Sequence, residues 1–195
     1  MNPLKRIQYN APVTLTFALL SLLVLGIAQV VDAGMYVRFF TVYRGQTLWM
    51  TFRDPLAYVR FFTHVLGHAD LNHYVGNFML ILLIGPLLEE RYGTKSVIIM
   101  IVVTALATGL IHIIMTPVPK HGASGVVFMM ILLGSFTNLQ RGRIPLTFIL
   151  VMAIYIGREV VAFNAATGSN IAYMSHIVGG LCGAVFGFYI NKDRI

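Results

Sequence analysis

The chain has 195 residues, of which 57% are hydrophobic and only 11% are charged, and its mean hydropathy is +0.79. A soluble domain carries roughly 25% charged residues, so this composition excludes a soluble globular protein and predicts a single-domain, all-α integral membrane protein. The formal net charge is +7. The basic residues that produce it are explained by membrane topology, as described below, so no basic face remains for a nucleic-acid partner. The single cysteine, Cys182, excludes an internal disulfide and a thiolate metal cluster.

Six apolar segments are predicted to cross the bilayer as helices, because backbone groups in lipid must be hydrogen-bonded within their own segment. These predicted spans are residues 11–31, 73–89, 97–115, 124–139, 144–163 and 171–190. The first span is too long for the apolar core of a cleaved signal peptide, so we expect it to be retained. Residues 32–72 are rich in aromatic residues and arginines, which predicts a partly helical first loop in the outer membrane interface.

Basic residues mark one side of this six-span bundle. They precede the first span, follow the last, and lie in the second-to-third and fourth-to-fifth connections: Lys5, Arg6, Arg91, Lys95, Arg141, Arg143, Lys192 and Arg194. By the positive-inside rule, both termini are predicted to be cytoplasmic.

Polar residues at membrane depth are functional candidates by default, because burying them in lipid is costly. His73 and Asn77 are four residues apart and share one face of the second span. Two convergent hydrogen-bond donors suit a developing oxyanion. The alternative is that both side chains only hydrogen-bond neighbouring helices.

Ser124 begins the fourth span between Gly122 and Gly125, where small neighbours leave the backbone amides open. The unpaired amides and positive dipole of a helix N-terminus favour negative charge on an attacked carbonyl. This pattern predicts either a nucleophilic serine or an ordinary N-cap.

His176 begins a glycine face in the sixth span, which continues through Gly179 and Gly183 at helical spacing. Such a face lets another helix approach closely. If that neighbour is the fourth span, His176 can reach Ser124 as its general base. The alternative is a histidine bonded to a backbone carbonyl. All seven acidic residues lie in loops or near span ends, so we expect a Ser–His dyad without a third member.

Together these motifs resemble the rhomboid intramembrane serine proteases, from about Arg60 to Phe188. "HYVGN" resembles the family's oxyanion segment with His73 and Asn77, "GASG" its nucleophile motif with Ser124, and "HIVGGLCG" its base-bearing helix with His176. The resemblance implies the basic six-helix bacterial form, in the inner membrane. It implies cleavage of transmembrane proteins through an acyl-enzyme, with the Ala123 amide assisting the oxyanion and with no metal or cofactor. It also implies that residues 164–175 cap the active site.

Further positions support the resemblance, and two depart from it. Gly85 and Glu89 resemble the family's G-x-x-x-E segment, and Arg60 and His68 match positions that support the first loop. Val59 stands where family members often have tryptophan. Phe128 replaces a frequent tyrosine, and its ring is expected to stack on the base.

Three other functions can be compared with the same residues. His64, His68, His73 and Asp70 could form a metal site, but the metalloprotease motif H-E-x-x-H is absent. A catalytically silent, rhomboid-like binder of membrane proteins would typically lack the serine or the histidine, and both are present. A transporter would need carboxylates in its spans, and none is evident.

Overall fold

A computed structural model describes residues 8–31, 33–137 and 171–191, with isolated positions at 146, 149, 150, 153, 154 and 157. The helices named here over these residues are α1 (Pro12–Val30), α2 (Ala33–Phe40), α3 (Leu48–Arg53), α4 (Pro55–Thr63), α5 (Leu71–Tyr92), α6 (Thr94–Met115), α7 (Ser124–Thr137) and α8 (Ile171–Asn191). A 3-10 turn, His64–Leu66, follows α4. The described chain is therefore mostly helical, as the sequence predicts.

Three of these helices, α1, α5 and α6, are long and apolar enough to cross a membrane, with 19, 22 and 22 residues. The fourth and sixth predicted spans correspond to α7 and α8, whose apolar stretches, Ser124–Ser135 and Ser175–Ile190, are shorter. The fifth predicted span, 144–163, is described only at the isolated positions given above, so it stays a prediction. Of the predicted cap, 164–175, residues 164–170 lie outside the described residues, and residues 171–175 form the start of α8 rather than a loop. Over the described residues, the structure thus confirms a mostly helical protein with three helices that could cross a membrane, and the count of six spans stays a prediction.

Local capping determines where α5 starts and stops. The Asp70 side chain accepts a hydrogen bond from the His73 amide at 2.8 Å, so the helix begins at Leu71 rather than at the predicted residue 73. Gly93, with φ of +81°, separates α5 from α6 in a single residue. The two longest helices are therefore antiparallel neighbours.

Glu89 joins the start of α1 to the α5–α6 turn. Its carboxylate accepts hydrogen bonds from the amides of Val13 and Thr14 at 3.0 and 3.1 Å, and from the Thr14 and Thr94 hydroxyls at 3.1 Å each. A carboxylate at a helix N-terminus also complements the helix dipole. A Cβ on Gly85 would lie 2.6 Å from the Thr14 methyl carbon, so only glycine allows this close contact.

The first loop contains α2, α3 and α4 and is organised around a buried arginine. Arg60 is only 2% exposed, forms an ion pair with Asp54, and donates to the Arg38 carbonyl at 3.2 Å. Its guanidinium also lies 4.3 Å from the centre of the Tyr43 ring. Hydrogen bonding to Arg60 lowers the pKa of Asp54, so this pair stays charged at neutral pH.

Helices α7 and α8 pack with their backbones in contact. A Cβ on Gly179 would lie 2.0 Å from the Gly125 carbonyl oxygen, and one on Gly183 would lie 2.3 Å from the Met129 carbonyl oxygen. A step of four residues along one helix therefore matches a step of four along the other, so the helices run parallel. The glycine face of the sixth predicted span does meet the fourth.

Candidate active site

The segment that leads into α7 is held by the first loop. Val42 and Lys120 exchange two backbone hydrogen bonds of 2.8 Å, which form an isolated antiparallel bridge. Two residues later, the Gly122 amide donates to the His64 carbonyl at 2.9 Å. These contacts fix the backbone immediately before Ser124.

Gly122 brings this backbone against the two predicted oxyanion donors. Its φ is +110°, a conformation that residues with a side chain rarely adopt. A Cβ at this position would lie 2.8 Å from Cε1 and Nε2 of His73 and 3.9 Å from Nδ2 of Asn77. The structure therefore places His73 and Asn77 beside the backbone that precedes the serine.

His73 lies between two other imidazoles. Its ring centre is 5.0 Å from that of His68 and 5.8 Å from that of His121. Burial, with the nearby His73, lowers the pKa of His68 to about 3 and that of His121 to about 4. Both flanking rings are therefore neutral at physiological pH and add no charge to the site.

The Ala123 amide is not directed at the expected oxyanion position. It donates to Nε2 of His68 at 3.4 Å, and Ala123 is fully buried. The Ala123 amide therefore already has an acceptor. By providing it, His68 supports the loop that precedes Ser124. Ser124 is the first residue of α7, and the first amides of a helix lack intrahelical partners.

Phe128 connects the predicted base to the nucleophile helix. Its ring stacks on the His176 imidazole with centres 4.3 Å apart and planes 9° apart. Ser124 lies one turn before Phe128, on the same face of α7. The structure thus shows the expected stacking and brings His176 and Ser124 to the same end of two parallel helices.

Gly125 allows three helices to meet beside the serine. A Cβ there would lie 2.8 Å from the Thr108 methyl carbon in α6 and 3.4 Å from the Ser175 carbonyl in α8. An added Cβ would therefore overlap the Thr108 methyl group in α6 and just reach contact with α8.

The remaining histidines have structural contacts. Nδ1 of His64 is 3.1 Å from the Arg60 carbonyl, and Nε2 of His112 is 2.7 Å from the Val118 carbonyl. Over the residues that the structure describes, no group of three or more His, Cys, Asp or Glu side chains is arranged to hold a metal ion.

Sequence reasoning missed two residues of this region, Lys120 and His121. Both lie in the short connection between α6 and α7, where charged residues are usually solvated. Lys120 is instead buried, and His121 contacts Tyr36 of α2 with ring centres 5.0 Å apart. The one available signal was their position within four residues of Ser124.

The structure shows a bundle of apolar helices. At one end of this bundle, a serine, two histidines and an asparagine lie around the start of α7. Residues 55–193 match the family model described as the rhomboid domain, and the chain belongs to the rhomboid family. It is 29% identical to Rhomboid-related protein 2 of Mus musculus over 178 residues, which cover 78% of this chain and 59% of that protein. It is 27% identical to Rhomboid protease GlpG of Salmonella choleraesuis (strain SC-B67) over 138 residues, covering 66% of this chain and 47% of that protein.

Proposed function

We propose that this protein is an intramembrane serine endopeptidase that cleaves transmembrane segments of other membrane proteins with a Ser124–His176 dyad. The observation that carries the proposal is the parallel contact of α7 and α8, in which His176 stacks on Phe128 one turn from Ser124. Membership of the rhomboid family and similarity to a protein named as a protease support it further.

In the proposed reaction, the Ser124 hydroxyl attacks the carbonyl of the scissile peptide bond, while His176 accepts the hydroxyl proton. The resulting oxyanion is stabilised by His73, Asn77 and the Ser124 amide. His176 then donates the proton to the leaving amine, and the peptide bond breaks to give an acyl-enzyme. Water hydrolyses this ester with His176 again acting as base. Apart from this water, the proposed reaction needs only groups of the protein itself.

The proposed substrates are membrane proteins whose transmembrane helix unwinds readily and has a small residue before the cut. The site lies at the end of the bundle that carries the first loop, which fits entry of substrate near the membrane surface. We propose a bacterial inner-membrane location with cytoplasmic termini, so that cleavage takes place near the outer surface. Residues 164–175 are proposed to cap the site.

The first test is cleavage of a single-span substrate in liposomes by the wild-type protein, Ser124→Ala and His176→Ala. We expect cleavage by the wild type alone, because either substitution removes a reacting group. Equal cleavage by all three proteins would exclude the dyad.

A serine-reactive phosphonate separates an unsuitable substrate from an inactive site. Labelling of Ser124 without substrate cleavage would support the protease and redirect the search to other substrates. A folded wild-type protein that neither cleaves nor reacts would favour the catalytically silent binder instead.

A further inference from the structure

Lys120 takes no direct part in the proposed reaction, yet its charged side chain is buried in the described structure. It lies four residues before Ser124 and is only 9% exposed. Its ammonium nitrogen is buried, with no hydrogen-bond partner among the described residues. Burying an unpaired charge is costly, and this burial lowers the pKa of Lys120 to about 7.

The backbone around Lys120 is held by the first loop. Its amide and carbonyl both bond Val42, at 2.8 Å each, and the segment is fixed again where Gly122 bonds His64. The buried Lys120 side chain therefore extends from a backbone segment that has a defined position directly before Ser124.

Four imidazoles lie within electrostatic reach of the Lys120 ammonium. They come from the 3-10 turn, from α6, from the same connection and from α8: His64, His112, His121 and His176. Asp70 acts electrostatically on His121, one of these four, and also on His68, which lies outside the group. Among the described residues, the one ion pair between side chains is Arg60–Asp54, so Lys120 has no carboxylate partner there.

The register of α7 and α8 explains why Lys120 can act on His176. Gly179 is opposite Gly125, and the two helices are parallel. A Cβ on Gly125 would lie 3.4 Å from the Ser175 carbonyl, and His176 stacks on Phe128, so the start of α8 lies beside the start of α7, which Lys120 precedes by four residues. The Lys120 ammonium therefore acts electrostatically on the imidazole of the proposed base.

We propose that Lys120 is a positioning residue that controls when His176 can accept the serine proton, an inference that rests on the proposed protease function. Proton transfer turns His176 into an imidazolium, and a neighbouring ammonium opposes that new charge. Neutral Lys120 does not oppose it. The site is therefore weakly active while Lys120 is charged and becomes fully active when Lys120 loses its proton.

Two substitutions of Lys120 change its charge in opposite directions and therefore test how this charge affects the labelling rate of Ser124. Lys120→Met removes the charge and Lys120→Arg makes it permanent, while Lys95→Met is a control at an exposed lysine in the first turn of α6. The rate of Ser124 labelling by a phosphonate would be measured in liposomes between about pH 5.5 and about pH 8.5.

We expect the wild-type rate to rise through the Lys120 titration near pH 7. Lys120→Met should label on the order of tenfold faster than wild type at about pH 6 and equally fast at about pH 8.5. Lys120→Arg should remain on the order of tenfold slower than wild type at the higher pH. Lys95→Met should match the wild type throughout.

A second measurement does not depend on activity. NMR of ¹³Cε-labelled lysine, with the Lys120 signal assigned by its loss in Lys120→Arg, should show a titration midpoint near 7. A midpoint near the ordinary lysine value of about 10.4 would overturn the inference whatever the enzyme does. Identical pH profiles for wild type and Lys120→Met would overturn it while leaving the protease proposal intact. A wild type that never labels would overturn the protease proposal and this inference together.

Discussion

At the scale of single residues, Gly122 has the most demanding position near the serine. It combines a φ of +110° with a distance of 2.8 Å between its missing Cβ and the His73 ring. Gly122→Ala should therefore displace His73 and strain the backbone. Because loss of one oxyanion donor typically slows catalysis by about 10²–10³-fold, we expect a fall of that size in substrate cleavage.

The matched control is Gly76→Ala, on the same helix as His73, where an added Cβ meets nothing within 4 Å. This variant should cleave at the wild-type rate. Thermal unfolding of both proteins in detergent would show that each is folded. Full activity of a folded Gly122→Ala protein would remove His73 from the proposed oxyanion hole.

At the scale of helices, the contact between α7 and α8 decides whether base and nucleophile meet. A Cβ on Gly179 would lie 2.0 Å from the Gly125 carbonyl oxygen, which backbone atoms cannot relieve without moving a helix. Gly179→Ala should therefore separate the helices, lower stability by about 1–3 kcal/mol as overpacking does, and greatly slow phosphonate labelling of Ser124.

Gly180→Ala provides the neighbouring comparison, because its nearest atom, in Leu132, would lie at 3.7 Å in ordinary contact. It should unfold and react like the wild type. If the two alanine variants behave alike in chemical denaturation and labelling, close packing of α7 on α8 is not what positions His176.

Helix junctions can be tested in the same way at Glu89. Each of its carboxylate oxygens accepts from two donors, in α1 and at the start of α6. A glutamine offers one oxygen only, so Glu89→Gln should leave two donors facing an amide NH₂ group. Hydrogen bonds to charged groups are worth about 1.5–3 kcal/mol, and we expect a loss of that order in detergent–SDS unfolding monitored by circular dichroism. The exposed neighbour Glu90→Gln should cause no change.

The sequence predicts helices better than it predicts the contacts of the connections. Apolar length reveals α1 and α6, and the glycine spacing from Gly179 to Gly183 correctly indicates a close neighbour. Burial of Lys120 was not predictable, because the Val42–Lys120 bridge joins two loops, and such a contact produces no periodic pattern in the sequence. The Ala123 amide was misjudged for a related reason: its acceptor, His68, is 55 residues away in the chain. Long-range pairing of irregular backbone has no local signal.

At the scale of the whole molecule, the described helices have two distinct ends. One end holds Glu89 and the turn between α5 and α6, with Lys95 exposed in the first turn of α6. The other holds the first loop, the start of α5 and the start of α7. Helices α7 and α8 run parallel, so both begin at the end that holds the first loop.

The positive-inside rule predicts that the end with Arg91 and Lys95 is cytoplasmic, and labelling of single cysteines tests this prediction. In a Cys182→Ser background, Gln46→Cys in the first loop should react with an impermeant maleimide added to intact cells. Lys95→Cys should react only after permeabilisation. Reaction of Lys95→Cys alone in intact cells would invert the predicted orientation and place the serine at the cytoplasmic surface. Reaction of both from one side would contradict the separation of the two ends.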